Sequence, residues 1–441
     1  MSDATAITPK AITHRRVLAI AIPIVLSNAT IPLMGAVDTF AVGQLGRAEP
    51  IGAVAIGAVI LSAIYWIFGF LRMGTTGLVA QAEGRGDAQE VSALLSRALL
   101  IAFAAGAAFI LLQGPVMRAA FAISPASAEV ESLARDYIAL RIWGAPAAIA
   151  GYAITGWLIA REQTRAVLVL QLVMNGGNIV LSLWFVLGLG WGVTGVAAAT
   201  LIAEWVGLML GLYLCCGAFT SGAWRNRARV FDRARVARMM GVNGDIMIRS
   251  VLLQVCFLSV TFQGAALGDV TLAANQILLQ FFTISAYLLD GFAFATEALV
   301  GQALGARNRA ALRRAAILGS LWGGVVVISL ALSYALAGTL IVERMTTAIE
   351  VQEAAKSYLI WCVMAPILGL PAFMLDGIFI GATRTRDMRN MMIISAAGYG
   401  LILMAFVPLF GNHGLWAALM LFFILRAVTL AARYPALERA V

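Results

Sequence analysis

The chain has 441 residues, of which 61% are hydrophobic and only 12% charged, and its mean hydropathy is +0.91. A soluble domain carries roughly 25% charged residues, so a water-soluble fold of this size is excluded. The net charge of +9 would suit a nucleic-acid partner, but its distribution along the chain is that of a membrane protein and implies no nucleic acid.

The first ten residues are polar. The apolar run after them, Val17 to Val42, is too long for the roughly 7–15 residues of a signal-peptide core. It reads as a first membrane span, not a cleaved leader. Spans long enough for about 30 Å of hydrocarbon are expected at 17–43, 51–80, 93–122, 135–160, 166–189 and 191–216. A second set follows at 239–266, 272–302, 312–341, 353–381, 389–410 and 412–432. Strand-length alternation is absent, which argues against a β-barrel. The expected fold is an all-α polytopic membrane protein, with twelve transmembrane helices in two pseudo-symmetric six-helix lobes. Its parts are a tail (1–16), an N-lobe (17–216), an arginine-rich linker (217–238), a C-lobe (239–432) and a second tail (433–441).

Alternate loops differ in charge. Twenty-two Lys and Arg fall on one side and five on the other, while Arg72, Arg141, Arg249 and Arg426 lie within spans. The positive-inside rule then places both termini in the cytoplasm, in a bacterial inner membrane.

The chain also repeats itself with a constant offset of 221 residues. Leu78-Val-Ala-Gln-Ala-Glu-Gly84 matches Leu299-Val-Gly-Gln-Ala-Leu-Gly305, and Tyr137 matches Tyr358. Gly156-Trp-Leu-Ile159 matches Gly377-Ile-Phe-Ile380, Thr164-Arg165 matches Thr385-Arg386, and Gly190 matches Gly411. Six spans per half is an even number, so both halves insert in the same orientation, as parallel repeats about the membrane normal. Two such bundles suit alternating access. No selectivity-filter sequence of a channel is present.

Several chemistries are excluded. Cys215, Cys216, Cys256 and Cys362 sit in apolar segments without metal-ligand spacing and read as small hydrophobes. His14 and His413 are the two histidines, each near the end of a span, and no Gly-x-x-x-x-Gly-Lys-Ser/Thr loop occurs. An enzyme is not expected, nor a resident metal or cofactor.

A family resemblance rests on residues along the whole chain. Ala21-Ile-Pro23, Asp38-Thr-Phe-Ala-Val-Gly43 and Leu78-Val-Ala-Gln81 resemble the opening of the multidrug and toxic compound extrusion (MATE) family. Asn178-Ile-Val-Leu, Gly188-Leu-Gly-Trp-Gly-Val-Thr-Gly195 and Ala198-Ala-Thr200 are similar to its fifth and sixth helices. Asn243-Gly-Asp-Ile-Met-Ile-Arg249, Ala286-Tyr-Leu-Leu-Asp-Gly-Phe-Ala293, Leu375-Asp-Gly-Ile-Phe-Ile-Gly-Ala-Thr-Arg384 and Gly411-Asn-His-Gly-Leu-Trp416 resemble the DinF branch. The resemblance implies twelve helices in two lobes and export of organic, often cationic, compounds in exchange for H⁺ or Na⁺. The expected partners are such small molecules and the lipid bilayer, and the chain is expected to act as a monomer. A lipid-linked saccharide flippase of the same superfamily is the alternative. That group commonly has about 14 helices, and a pyrophosphate would call for a basic interior, whereas the interior charges here read as mostly acidic.

Ionisable groups at bilayer depth are candidates by default. Asp38 stands in the first span, after Pro23 and Pro32, each of which removes a backbone hydrogen bond and favours bending. Apolar surroundings disfavour an ionised carboxylate, so Asp38 is the candidate proton carrier; a structural, hydrogen-bonded Asp is the other reading. The resemblance implies the coupling role, since an Asp at this place couples protons in the DinF-like branch. Asn178 and Thr200 match polar residues of the family's first-lobe site, with Tyr137, Asn175 and Ser182 as further pocket candidates. Ser182 stands where the family often has a second Asp. A single carboxylate suits one protonation switch and weakens the case for Na⁺. In the C-lobe, Asp245, Arg249, Asp290, Glu297 and Asp376 form a candidate charged network. Asp245 and Arg249, four apart, form either an intrahelical pair or part of that network around Arg249. Glu204 and Arg426 read as linker contacts or snorkelling ends. Seventeen Met and 21 Phe supply side chains for an adaptable apolar cleft.

Overall fold

A computed structural model describes residues 11–123, 127–220 and 222–440. The first ten residues of the expected N-terminal tail lie outside them. Among the described residues the chain is helical and has no strand. Lipid offers no partner to an open backbone group, so the bonds must close within each helix.

The first half comprises α1 (His14–Gly43), α2 (Ala48–Ile67) and α3 (Gly69–Gly84), the last two separated only at Phe68. Then come α4 (Ala88–Leu111), α5 (Gln113–Ile123), α6 (Ala128–Arg141) and α7 (Ala145–Ala160). A single 3₁₀ turn, Ile142–Gly144, interrupts the fourth span between α6 and α7. The helix α8 (Thr164–Leu183) ends in a π turn, Trp184–Gly188, before α9 (Gly192–Leu214). A short α10 (Arg227–Val230) leads to α11 (Arg233–Ala266), α12 (Asp269–Gly305), α13 (Arg309–Met345), α14 (Ile349–Gly381), α15 (Thr385–Ala431) and a short α16 (Tyr434–Glu438).

Among the described residues, eleven helical stretches are long and apolar enough to cross a membrane. The last, Thr385–Glu438, has 54 residues, about 80 Å at 1.5 Å per residue, more than twice the hydrocarbon thickness. It is broken at Gly411, whose backbone (φ 56°, ψ −131°) is not helical, and this gives the eleventh and twelfth spans.

Several helices begin earlier than their apolar runs. The third, fourth and ninth spans start at residues 88, 128 and 309 instead of 93, 135 and 312. Polar caps extend them: Asp87, Ser127 and Asn308 accept the amides of Glu90 (3.0 Å), Val130 (3.4 Å) and Ala311 (2.9 Å). Such caps satisfy first-turn amides that have no intrahelical partner.

The 221-residue repeat extends to backbone conformation. The left-handed residues Gly86 and Arg307, Glu162 and Thr383, and Gly190 and Gly411 are each 221 apart. So are the caps Asp87 and Asn308.

Packing divides the chain into two units. One comprises Leu26–Val79 and Asp87–Met240. Its core gathers Tyr65, Phe121, Tyr137, Ile138 and Val196. The other comprises residues up to Val25, Ala80–Gly86 and Gly241–Val441, with a core around Phe281, Phe282, Trp416, Phe422 and Phe423. The border thus departs from a cut at the linker in two places: within α1, two residues beyond Pro23, and in the last turn of α3.

Inside the second of these units, the two copies of the repeated motif meet. A Cβ on Gly84 would strike the carbonyl of Gln302, and a Cβ on Gly305 would strike that of Gln81. The missing side chains let α3 and α12 cross in backbone contact, as small residues do between membrane helices. Gln81 Nε2 then donates to the Gly381 carbonyl (3.1 Å) and to Thr383 Oγ1 (3.0 Å), and Arg16 Nη2 donates to Gln302 Oε1 (2.8 Å).

The linker and the C-terminal tail each fold back as a short strap on the third span of their own half. Val230 is buried, and Arg97 donates to its carbonyl (2.9 Å) and to that of Arg229 (3.0 Å). Arg97 and Arg235 both pair with Glu90, and Arg229 pairs with Asp87 (2.7 Å). At the tail, Leu437 is buried and Glu438 pairs with Arg313 and Arg309 of α13. The charge polarity is reversed: arginines in the first strap, a glutamate in the second.

Candidate functional site

The first unit carries the polar site. Asp38 lies five residues before the end of α1 and is 8% exposed. Ser182, fully buried near the end of α8, donates its hydroxyl to Asp38 Oδ1 (2.7 Å). One turn earlier on α8, Asn178 Nδ2 donates to Thr200 Oγ1 on α9 (2.7 Å), and Thr200 closes the chain by donating to the Val196 carbonyl (3.0 Å). Asn175 Nδ2 donates to Thr30 Oγ1 on α1 (2.6 Å) and to Gln171 Oε1 (3.4 Å). The spacing is regular. Thr30 and Asp38 are two turns apart on α1, as Asn175 and Ser182 are on α8, so one ridge of each helix meets the other.

All five pocket candidates are therefore buried or nearly so in one unit. They do not converge on one point: Ser182 meets Asp38, Asn178 meets Thr200, and Asn175 meets Thr30. Tyr137, 2% exposed, places its ring beneath the Arg141 guanidinium at 5.9 Å.

Sequence reading missed a charged pair here. Arg141 Nη2 donates to Glu204 Oε1 (2.9 Å), and each side chain is 11% exposed. Glu204 is thus neither a linker contact nor a snorkelling end. The signal available in the sequence was two opposite charges in neighbouring spans of one half. The arginine also acts electrostatically on Asp38.

In the second unit, Asp376 is shared. Arg249 bonds its Oδ2, and so does Arg426 (2.5 Å). Arg426 is 3% exposed, with Phe422 and Phe423 rings beside its guanidinium, so the snorkelling expectation fails for it as well. Asp245 and Arg249 share a helix face but do not pair. Asp245 accepts from Thr385 Oγ1 (3.0 Å) and Arg389 Nη1 (2.6 Å) in the first turns of α15. A donor pair from a neighbouring helix displaces the intrahelical partner. Glu297 is fully buried on α12, and Asp290 is half-buried two turns before it. Two guanidiniums thus share the one Asp376 carboxylate.

The helix α1 passes through Pro23 and Pro32 as one helix. Among the described residues no group of three or more His, Cys, Asp or Glu is placed to hold a metal ion. The first unit thus offers Asp38 bonded to a hydroxyl and a buried Arg141–Glu204 pair, and the second a carboxylate, Asp376, shared by Arg249 and Arg426.

The comparisons with known proteins agree with this architecture. The profile of the MatE family matches residues 23–184 and 246–408, one stretch in each half. The chain is 41% identical over 422 residues to the DNA damage-inducible protein F of Escherichia coli strain K12, covering 94% of this chain and 90% of that protein. It is 27% identical over 333 residues to the probable multidrug resistance protein NorM of a Synechococcus species, covering 71% of this chain and 70% of that protein. A crystal structure of MATE in the bent conformation superposes with a TM-score of 0.86 at 18% identity over 96% of each chain, a likeness of fold.

Proposed function

We propose, from the premise that this chain belongs to the MatE family of multi-pass membrane transporters, that it exports lipophilic or cationic organic compounds by exchange for protons, and that Asp38 carries the proton. The observation behind the proposal is the setting of Asp38: a buried carboxylate whose bonded neighbour is a neutral hydroxyl donor. A hydroxyl can donate to the ionised form and accept from the protonated one. A sodium ion would instead want several oxygen ligands, carboxylates among them, and the position that could have supplied a second carboxylate is Ser182. Proton coupling is therefore favoured over Na⁺.

The route from protonation to movement runs through α1. Its outer part carries Asp38 and Thr30, tied to α8, while its first turns belong to the other packing unit, and the border lies beside Pro23. A protonation that loosens the Asp38–Ser182 bond frees one anchor of a proline-bearing helix. Bending there alters the cleft and releases cargo outward; loss of the proton inside resets it. Twenty-two basic residues in the loops of one side against five in the other support cytoplasmic termini in a bacterial inner membrane.

The test is transport by purified protein in liposomes, with a fluorescent lipophilic cation as cargo and a pH gradient or a Na⁺ gradient imposed separately. Accumulation driven by the pH gradient alone is expected. Accumulation driven by Na⁺ alone would overturn the coupling assignment.

A further inference from the structure

The Arg141–Glu204 pair stands in the same unit as Asp38. Three observations show that it is a built feature. First, it sits at the one interruption of the fourth span, the Ile142–Gly144 turn. Side chains of other helices cap the carbonyls this break exposes: Trp205 Nε1 donates to Trp143 O (3.2 Å) and Tyr65 approaches Arg141 O (3.5 Å). Interrupted spans mark functional sites in transporters because irregular backbone survives only where protein or a cavity satisfies it. Second, Gly144 is shaped around the pair, since a Cβ there would collide with Glu204 Oε2. Third, the pair is left incompletely satisfied. Arg141 Nε and Glu204 Oε2 are both buried without a hydrogen-bond partner, so the guanidinium retains donor capacity to redistribute.

The repeat supplies the control. Positions 221 residues on hold Cys362 for Arg141, Ala365 for Gly144 and Leu425 for Glu204. There the equivalent span, α14, is helical throughout, and Cys362 and Ala365 belong to an apolar core. Those three positions are thus charged and broken once and apolar once, while the neighbouring Arg426 pairs with Asp376 of α14. Apolar replacement of a buried pair is often neutral or stabilising.

We propose that Arg141, held by Glu204, is a positioning residue for proton exchange at Asp38, its guanidinium acting as a counter-charge divided between the two carboxylates. This rests on the assignment of proton coupling to Asp38. When Asp38 is ionised, Arg141 is drawn toward it. When Asp38 is protonated, Arg141 returns fully to Glu204. Because Arg141 is the last residue of α6, that exchange moves the α6–α7 junction. The other titratable groups around it are Tyr65 of α2 and Tyr137 of α6, both in electrostatic contact with Arg141 and Glu204, and Tyr152 of α7, in contact with Tyr65. The charged groups of this cluster are Asp38, Glu204 and Arg141.

The experiment compares pH profiles of proton-driven transport for the unchanged protein, Glu204→Gln, and the double variant Arg141→Met with Glu204→Leu, which imitates the other repeat. In Glu204→Gln the whole guanidinium charge faces Asp38, so the midpoint of the profile moves to lower pH by about half a unit or more. In the double variant the counter-charge is gone, and the midpoint moves to higher pH. Coincident profiles in folded variants would overturn the proposal, as would failure of the double variant to fold. Asp38→Asn, measured alongside, separates the two ideas: if it still couples protons, the Asp38 assignment is what failed.

Discussion

Replacing Asp376 with Asn keeps the shape of the side chain and removes the one carboxylate that Arg249 and Arg426 share. These guanidiniums are 6% and 3% exposed, and Arg426 lies among Phe422 and Phe423. Removing one partner of a buried pair costs about 3–5 kcal/mol because the remaining charge is left uncompensated. Here two charges of the same sign remain, so the cost sits at the upper end of that range. Removing Arg426 instead leaves a neutral Arg249–Asp376 pair. Arg426→Met therefore forfeits little beyond its ring contacts, about 1–2 kcal/mol. The assay is thermal unfolding in detergent, followed by tryptophan fluorescence and size exclusion. For a unit of about 200 residues, each kcal/mol shifts the midpoint by about 2–4 °C. Asp376→Asn should fall on the order of 10 °C, and Arg426→Met only a few degrees. Equal losses, or a larger loss for Arg426→Met, would show that one carboxylate does not balance the two arginines. Low transport by Asp376→Asn is then a stability effect and carries no evidence of coupling at that residue.

Two further predictions concern packing. Gly84→Leu places a side chain against the Gln302 carbonyl, which backbone cannot yield cheaply; it should lower folded yield severely, and Gly305→Leu should do so equally, because the crossing is reciprocal. Glu90→Gln removes the carboxylate that gathers Arg97 and Arg235. It should release the first strap, read as faster tryptic cleavage at the arginines of residues 225–238, while the C-terminal strap at Glu438 keeps its protection.

The scaffold was legible in the sequence because its signals are long. Apolar runs of membrane length and an offset of 221 residues survive any local ambiguity. Helix starts were less legible, since polar caps such as Asp87 and Asn308 lie outside the apolar runs they extend. The first-unit site was partly legible. Asp38 was found as a carboxylate in a span and Ser182 as a polar residue of another, but the bond between them was not read. Partner choice among charges was not legible. Spacing placed Asp245 and Arg249 on one face, but only tertiary packing brings Thr385 and Arg389 to Asp245. The same holds for Arg141 with Glu204 and for Arg426 with Asp376, whose members lie on different helices. Helical periodicity says which residues share a face; it carries no information on which face of another helix they meet.

One substitution tests whether the proton of the exchange binds Asp38. One proton moved down one pH unit supplies about 1.4 kcal/mol, enough for about a tenfold cargo gradient. Asp38→Asn retains an oxygen that accepts from Ser182, so the fold persists. The decisive measurement is cargo accumulation in proteoliposomes under a one-unit pH gradient, beside cargo-for-cargo exchange without a gradient. Asp38→Asn is expected to lose the accumulation and retain the exchange. Accumulation at the unchanged protein's level would contradict it.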